Sequence, residues 1–124
     1  MQQQAQSAQE SWFDAADGTR LFCRDWSVAG AVGAVQMVHG LGEHGGRYAA
    51  LAALFNQAGW SVRICDHRGH GHSGGRRGSL IAPDDLLQDL KLVFDDFARR
   101  QRCTPMLFGH SMGGLVAARL ATGG

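Results

Sequence analysis

The residue with the clearest chemical potential in this chain is Ser111, which stands in the sequence Gly-His-Ser-Met-Gly. An apolar run precedes it and a periodic apolar stretch follows it, which predicts a strand at 105–108 and a helix at 112–121. A serine between a strand and a helix lies on a cramped turn, so the residues two positions away must be nearly free of side chains. Gly109 and Gly113 meet that requirement. The pattern predicts a nucleophile elbow; the alternative is a Gly-rich turn whose serine caps the helix.

A serine that transfers an acyl group needs hydrogen-bond donors for the oxyanion, and each donor is worth about 3 to 4 kcal/mol. The backbone N–H of Met112 is one candidate, because it follows the nucleophile at a helix N-terminus. The N–H of Leu41 is the second, because Leu41 lies between two glycines after an apolar strand at 35–39. Leu41 could also line an apolar pocket with its side chain, and the two roles are compatible.

The groups that would activate this serine, a catalytic acid and a histidine base, are absent after Ser111, since no Asp, Glu or His follows it in the 124 residues. His110 adjoins the nucleophile, but the strained turn places it beside the elbow rather than against Oγ. We expect the other histidines to form hydrogen bonds within loops. Residues 1–124 alone should therefore lack most of the rate enhancement of a complete triad.

The elements that must position Ser111 follow from turn residues and hydrophobic periodicity. Asp17-Gly18 between β-prone runs predicts a hairpin with arms at 11–15 and 19–26. Further strands are expected at 35–39, 60–65 and 105–108, and helices at 47–58 and 83–102. A hairpin followed by strand-helix repeats indicates an α/β fold, with a mostly parallel sheet, an antiparallel N-terminal hairpin and helices on the faces of the sheet.

Each predicted helix has an apolar stripe that should face the sheet. Gly59 is placed to end the first helix by adopting a left-handed conformation. The stripe of the first helix comprises Tyr48, Leu51, Ala52, Leu54, Phe55 and Ala58. The stripe of the second comprises Leu86, Leu87, Leu90, Val93, Phe94 and Phe97.

Composition limits the classes of partner. A hydrophobic content of 44% predicts one globular domain over 11–124, after a disordered polar segment at 1–10. The net charge of +1 lacks the basic footprint of a nucleic-acid binder, and no apolar run reaches the length of a membrane span. Three cysteines far apart, Cys23, Cys65 and Cys103, favour buried thiols in a reducing compartment, and hence a cytoplasmic location.

Two segments allow other interpretations. The Gly-Leu-Gly-Glu-His-Gly sequence at 40–45, with Asp66 about 20 residues later, matches a dinucleotide-binding fingerprint. The preceding hairpin and the unexplained elbow argue against an NAD(P) site. The segment from Asp66 to Ser79 could gather metal ligands, but its interleaved glycines favour a turning loop in place of a site formed by Asp66, His67, His70 and His72. We expect no metal and no cofactor, and expect Arg76-Arg77 to be solvated or to contact lipid head groups transiently.

The chain closely resembles the α/β-hydrolases of the monoacylglycerol lipase and lysophospholipase group. The resemblance covers nearly all of the chain from about Ser11 onward and lies in three ordered segments, His39-Gly-Leu-Gly-Glu-His44 with Arg47-Tyr48, Asp66-His-Arg-Gly-His-Gly-His-Ser73 with Arg77-Gly78, and Gly109-His-Ser-Met-Gly-Gly114.

This resemblance implies the N-terminal part of an α/β-hydrolase fold that cleaves an acyl ester of a glycerol-based lipid. It also implies that Ser111 is the nucleophile and that Leu41 and Met112 form the oxyanion hole. Members of the group place a lid, further strands, an acid and a histidine after the elbow. A competing hypothesis is a non-catalytic binding module, in which the open edge of the 105–108 strand pairs with another chain.

Overall fold

The computed structural model describes residues 8–40, 44–77, 83–109 and 120–121. In chain order its elements are β1 (Gln9–Asp14), β2 (Arg20–Trp26), β3 (Gly33–Val38), a 3-10 helix (Gly45–Tyr48), α1 (Ala49–Gln57), β4 (Trp60–Cys65), α2 (Pro83–Gln101) and β5 (Met106–Gly109). Residues 120–121 are helical, and the rest of the helix predicted at 112–121 lies outside the described residues. β1 begins at Gln9, inside the segment 1–10 that was predicted to be disordered, and residues 1–7 of that segment lie outside the described residues.

The strands that the structure describes form one mixed sheet in the order β1-β2-β4-β3-β5. β1 and β2 form the predicted antiparallel hairpin, whose turn has Gly18 at a φ of 86°. β2 then pairs antiparallel with β4, and β4, β3 and β5 run parallel to one another. The predicted α/β class and the antiparallel N-terminal hairpin are confirmed, and the described strands form two antiparallel and two parallel pairs.

Alternation along the strands divides the apolar side chains between the two faces of the sheet. One cluster contacts α2 and contains Leu21, Cys23, Val38, Leu86, Leu90 and Val93. The other contacts α1 and contains Trp26, Val35, Met37, Ala52, Val62 and Ile64. The sheet is therefore covered on both faces, as right-handed crossovers require.

The two helices match their predictions to different degrees. In α2 the predicted residues Leu86, Leu90, Val93 and Phe97 are buried, and acidic residues occupy the first turn. The first helix is shorter than predicted, because Gly45–Tyr48 winds as a 3-10 helix and α1 begins at Ala49. Leu54 is 61% exposed and Ala58 is also exposed, so the predicted stripe is too wide. Gly59 ends the helix at a φ of 91°, as predicted.

The prediction of three unpaired cysteines is wrong. Cys23 and Cys65 lie directly opposite each other on the antiparallel strands β2 and β4 and form a disulfide. Cys103 is free and exposed. The inference of a reducing compartment from unpaired cysteines therefore loses its basis.

A buried arginine joins the sheet to α2. Arg63 of β4 is 1% exposed. Its Nε and Nη2 donate to the two carboxylate oxygens of Asp25 at 2.7 and 2.8 Å. Its Nη1 donates to Asp96 Oδ2 at 2.8 Å and to the Val93 carbonyl at 2.9 Å. Burial lowers the pKa of Arg63, but the two carboxylates outweigh burial and the net shift is upward. The guanidinium therefore stays charged in the interior.

Candidate active site

The predicted nucleophile and its oxyanion donors follow two strands that end side by side. β3 and β5 are parallel neighbours, and Val38, the last residue of β3, is paired with Gly109, the last residue of β5. Ser111, Met112 and Leu41 themselves lie outside the described residues. The two strands end at the same level of the carboxyl edge of the sheet, which is where ligands bind in open α/β sheets.

His39 and Gly40, the two residues between β3 and Leu41, are buried. The backbone N–H of His67 donates to His39 Nε2 at 2.9 Å, so this nitrogen carries no proton. His39 Nδ1 must then hold the proton, and it donates to the Gly40 carbonyl at 2.8 Å. The tautomer of His39 is thus fixed by two backbone groups.

His67 returns a second hydrogen bond to the same residue. Its Nε2 lies 2.8 Å from the His39 carbonyl, which can only accept, so Nε2 carries the proton. The two rings stand 4.0 Å apart between centroids. Burial, with a smaller contribution from the neighbouring His39, lowers the pKa of His67 to about 3. Both ring nitrogens of His39 are therefore engaged by hydrogen bonds, and the His67 imidazole is neutral near neutral pH.

Asp66 binds Gly45, which follows residues 41–43 in the chain, and two further groups. Its side chain is fully buried, and Oδ1 accepts from the Gly45 N–H at 2.6 Å and from Arg24 Nη1 at 3.0 Å. Oδ2 accepts from the His72 N–H at 2.9 Å. A Cβ at Gly45 would lie 2.9 Å from the Ile64 side chain and 3.1 Å from Asp66 Oδ1. A glycine at position 45 therefore lets the backbone approach the carboxylate.

The remainder of the 66–77 segment is a turning loop, as predicted. The Gly69 N–H donates to the Gly74 carbonyl at 2.7 Å. Ser73 Oγ donates to the Asp66 carbonyl at 2.7 Å and accepts from the Phe22 N–H at 2.8 Å, which ties the loop to β2. Within the described residues, no group of three or more His, Cys, Asp or Glu side chains is arranged to hold a metal ion.

The dinucleotide interpretation does not fit Asp66. A carboxylate that binds a ribose must be presented to the ligand, whereas this one is buried and engaged by Arg24 and by two backbone N–H groups. Sequence reasoning missed the part played by Arg24. The signal was available, because a charged residue in the middle of an apolar strand requires a partner when the strand is buried.

Comparison with known families decides the family. The family model described as "Serine aminopeptidase, S33" matches residues 29–123, which include the β3 end, the Asp66 loop and the Ser111 segment. The chain belongs to this family of α/β-hydrolases. Membership confirms the resemblance to α/β-hydrolases.

Among curated relatives, rat (Rattus norvegicus) monoglyceride lipase is 40% identical over 109 residues, which cover 82% of this chain and 34% of the relative. The monoacylglycerol lipase of Mycolicibacterium smegmatis is 41% identical over 83 residues, which cover 66% of this chain and 30% of the relative. This S33 hydrolase chain thus spans about a third of the length of the curated relatives it matches.

Among solved structures, a thermostable carboxyl esterase from Bacillus coagulans in complex with glycerol superposes with a TM-score of 0.76 at 28% identity. The match covers 90% of this chain and 38% of that structure. This S33 chain is therefore similar in sequence to monoglyceride lipases and in fold to a carboxyl esterase. In the part of the chain that the structure describes, no helix is both long and apolar enough to cross a membrane.

Proposed function

We propose that this chain carries the nucleophile and oxyanion donors of a serine hydrolase that cleaves the acyl ester of a monoacylglycerol-type lipid. In this proposal Ser111 attacks the ester carbonyl and becomes acylated, and the alcohol portion of the lipid leaves. The backbone N–H groups of Leu41 and Met112 stabilise the tetrahedral oxyanion. No metal or cofactor takes part.

The register of β3 and β5 is the observation that supports this assignment best. Val38 is paired with Gly109 at the ends of the two strands. Leu41 is three positions beyond Val38, and Met112 is three positions beyond Gly109. Two backbone N–H groups at equal distances along the chain beyond a shared strand end are suitable donors for one oxygen atom, as an oxyanion hole requires.

The substrate class comes from the relatives. Monoglyceride and monoacylglycerol lipases are similar to this chain at 40% and 41% identity, so a glycerol-based lipid ester is the substrate we propose. A lipid-like substrate also implies transient contact with a membrane surface or a micelle.

The test is hydrolysis of a monoacylglycerol by the full-length gene product that contains this chain, compared with its Ser111→Ala variant. We expect Ser111→Ala to lower kcat by at least about 10⁴-fold, because the nucleophile is lost. A fluorophosphonate probe should label the wild type at Ser111 and leave the variant unlabelled. Because the family description is that of an aminopeptidase, an aminoacyl p-nitroanilide is the counter-substrate, and we expect the ester to be preferred.

Residues 1–124 provide a second arm of the same experiment. Because no Asp, Glu or His follows Ser111, we expect these residues alone to hydrolyse a p-nitrophenyl ester no faster than their Ser111→Ala variant. Robust turnover by residues 1–124 that depends on Ser111 would disprove the inference that these residues lack the acid and base that activate Ser111. Ester turnover by the full-length product that survives Ser111→Ala would disprove the serine mechanism and favour the alternative, a non-catalytic binding module.

A further inference from the structure

We propose that the adjacent residues Asp66 and His67 are positioning residues that hold the two ends of the oxyanion loop, defined as residues 40–44. This inference rests on the proposed function, because the loop matters for chemistry if Leu41 donates to the oxyanion. Neither residue needs to touch the substrate. Each acts through a backbone group that flanks the loop.

The first end of the loop is held by His67. Its backbone N–H and its Nε2–H bind the imidazole and the carbonyl of His39 at 2.9 and 2.8 Å. His39 in turn donates to the Gly40 carbonyl. Since His39, Gly40 and His67 are all buried, these hydrogen bonds are shielded from water and fix the backbone that precedes Leu41.

The second end is held by Asp66. Its Oδ1 accepts from the Gly45 N–H, the first residue after the loop, at 2.6 Å. Arg24 and the His72 N–H hold the carboxylate in place from two other sides. A Cβ at Gly71 would overlap Asp66 Oδ2, so glycine is required there as well for the carboxylate to occupy its position.

The two anchors depend on one another because Asp66 and His67 are consecutive residues immediately after β4. β4 is hydrogen-bonded to β3 in a fixed parallel register, and β3 leads into the loop. The strand that supports the anchors therefore also supports the start of the loop. A donor held this way is preorganised for the transition state and loses little when the substrate binds, so its effect should appear in kcat.

The test compares Asp66→Asn with Asp96→Asn in the full-length gene product. Both changes remove a carboxylate that is paired with a largely buried arginine. Asp96 lies on α2 and pairs with Arg63 of β4, and neither residue is hydrogen-bonded to His39, Gly45 or Asp66 in the contacts described above. Two quantities are measured: amide hydrogen exchange at Gly45, and kcat and KM for monoacylglycerol hydrolysis.

For Asp66→Asn we expect exchange at Gly45 to be at least about tenfold faster, with β3 and β4 amides unchanged, and kcat to fall about 10- to 100-fold with KM within about threefold. Asp96→Asn should leave Gly45 exchange and kcat within about twofold of the wild type. A second pair isolates the other anchor: His67→Phe keeps ring volume but removes the donor to the His39 carbonyl, and His67→Gln restores a side-chain N–H. We expect His67→Phe to lower kcat and His67→Gln to recover most of it.

Unchanged Gly45 exchange in Asp66→Asn would overturn the anchoring. An equal fall of kcat in Asp66→Asn and Asp96→Asn, or in His67→Phe and His67→Gln, would overturn the positioning role, because a general loss of stability would explain both. If the wild type has no turnover that depends on Ser111, the proposed function fails, and the exchange measurement still decides whether Asp66 anchors the loop.

Discussion

Strand β4 supports two buried polar networks that differ in what they connect. The Arg63 network lies on the α2 face and joins side chains of regular elements, namely Asp25 of β2 and Asp96 of α2. The Asp66–His67 network lies just beyond the end of the same strand, and its side chains bind the backbone carbonyl of His39 and the backbone N–H groups of Gly45 and His72. The neighbours Arg24 and Asp25 of β2 serve one network each, because successive strand residues face opposite sides of the sheet.

This difference indicates a division of labour. A side chain that pairs with other side chains in helices and strands holds the frame, and its loss should be felt in the free energy of unfolding. A side chain that accepts from backbone N–H groups fixes the course of a loop, and its loss should be felt first in local exchange and in catalysis. The predictions that follow test whether the two networks separate in this way.

The largest effect on stability is expected for Arg63→Met. Removing the guanidinium leaves two largely buried carboxylates, those of Asp25 and Asp96, without their main partner. We expect the free energy of unfolding, measured by urea denaturation, to fall by about 3 to 5 kcal/mol.

The double variant Arg63→Met/Asp96→Asn is the control for Arg63→Met. It should recover part of that loss, because one of the two orphaned charges is gone. A loss below about 1 kcal/mol for Arg63→Met would contradict the framing role of the Arg63 network.

An intermediate effect on the free energy of unfolding is expected for the disulfide of Cys23 and Cys65, which joins β2 to β4. The bond closes a sequence separation of 42 residues, so the Cys23→Ala/Cys65→Ala variant should lose about 2 to 4 kcal/mol of unfolding free energy.

Peptide mapping after alkylation without reductant checks the pairing itself. It should recover the peptides of Cys23 and Cys65 linked and that of Cys103 alkylated. Alkylation of all three cysteines would contradict the disulfide and support the unpaired cysteines that the sequence predicted. Cys103→Ser, which removes the exposed free thiol, is the matched control and should leave stability unchanged.

Near neutral pH, the smallest effect on the free energy of unfolding is a pH dependence that belongs to the loop network. Above about pH 6.5 the His67 imidazole is neutral in the folded and in the unfolded chain. Between there and about pH 3 the unfolded chain alone binds the proton, because the folded-state pKa is lowered to about 3. The free energy of unfolding should therefore fall as pH falls through this range, by up to about 1.4 kcal/mol per pH unit.

His67→Gln removes this titration, so the difference in unfolding free energy between wild type and variant should shift with pH between 6.5 and 4. The carboxylates titrate in both proteins and cancel in the difference. Parallel curves for the two proteins would mean that His67 is protonated at its ordinary pKa in the folded state.

The sequence predicted the frame better than the site. The hairpin, β4, α2 and the end of α1 at Gly59 follow from local signals: turn residues, periodicity and a glycine with positive φ. Cys23 and Cys65 could not be paired in advance, since their contact depends on the register between two strands that are distant in the sequence.

The anchors of the oxyanion loop were missed for a related reason. The Asp66 to Ser73 segment is rich in polar side chains and glycine, which predicts a turning loop and is silent about which other loop it binds. The arginines inside the strands, Arg24 and Arg63, were the available signal, because a buried charge must be paired. Partners of that kind are chosen by tertiary packing, and local propensity does not encode them.

The adjacency of Asp66 and His67 also limits how the length of this surface segment can vary. Loops usually tolerate insertions, and Gly75, Arg76 and Arg77 of this segment are exposed. One residue inserted between Cys65 and His67 would turn the following side chains to the opposite face of the chain and release both anchors together. Insertions and deletions among relatives of this sequence should therefore collect from Gly75 onward and avoid the two positions that follow β4.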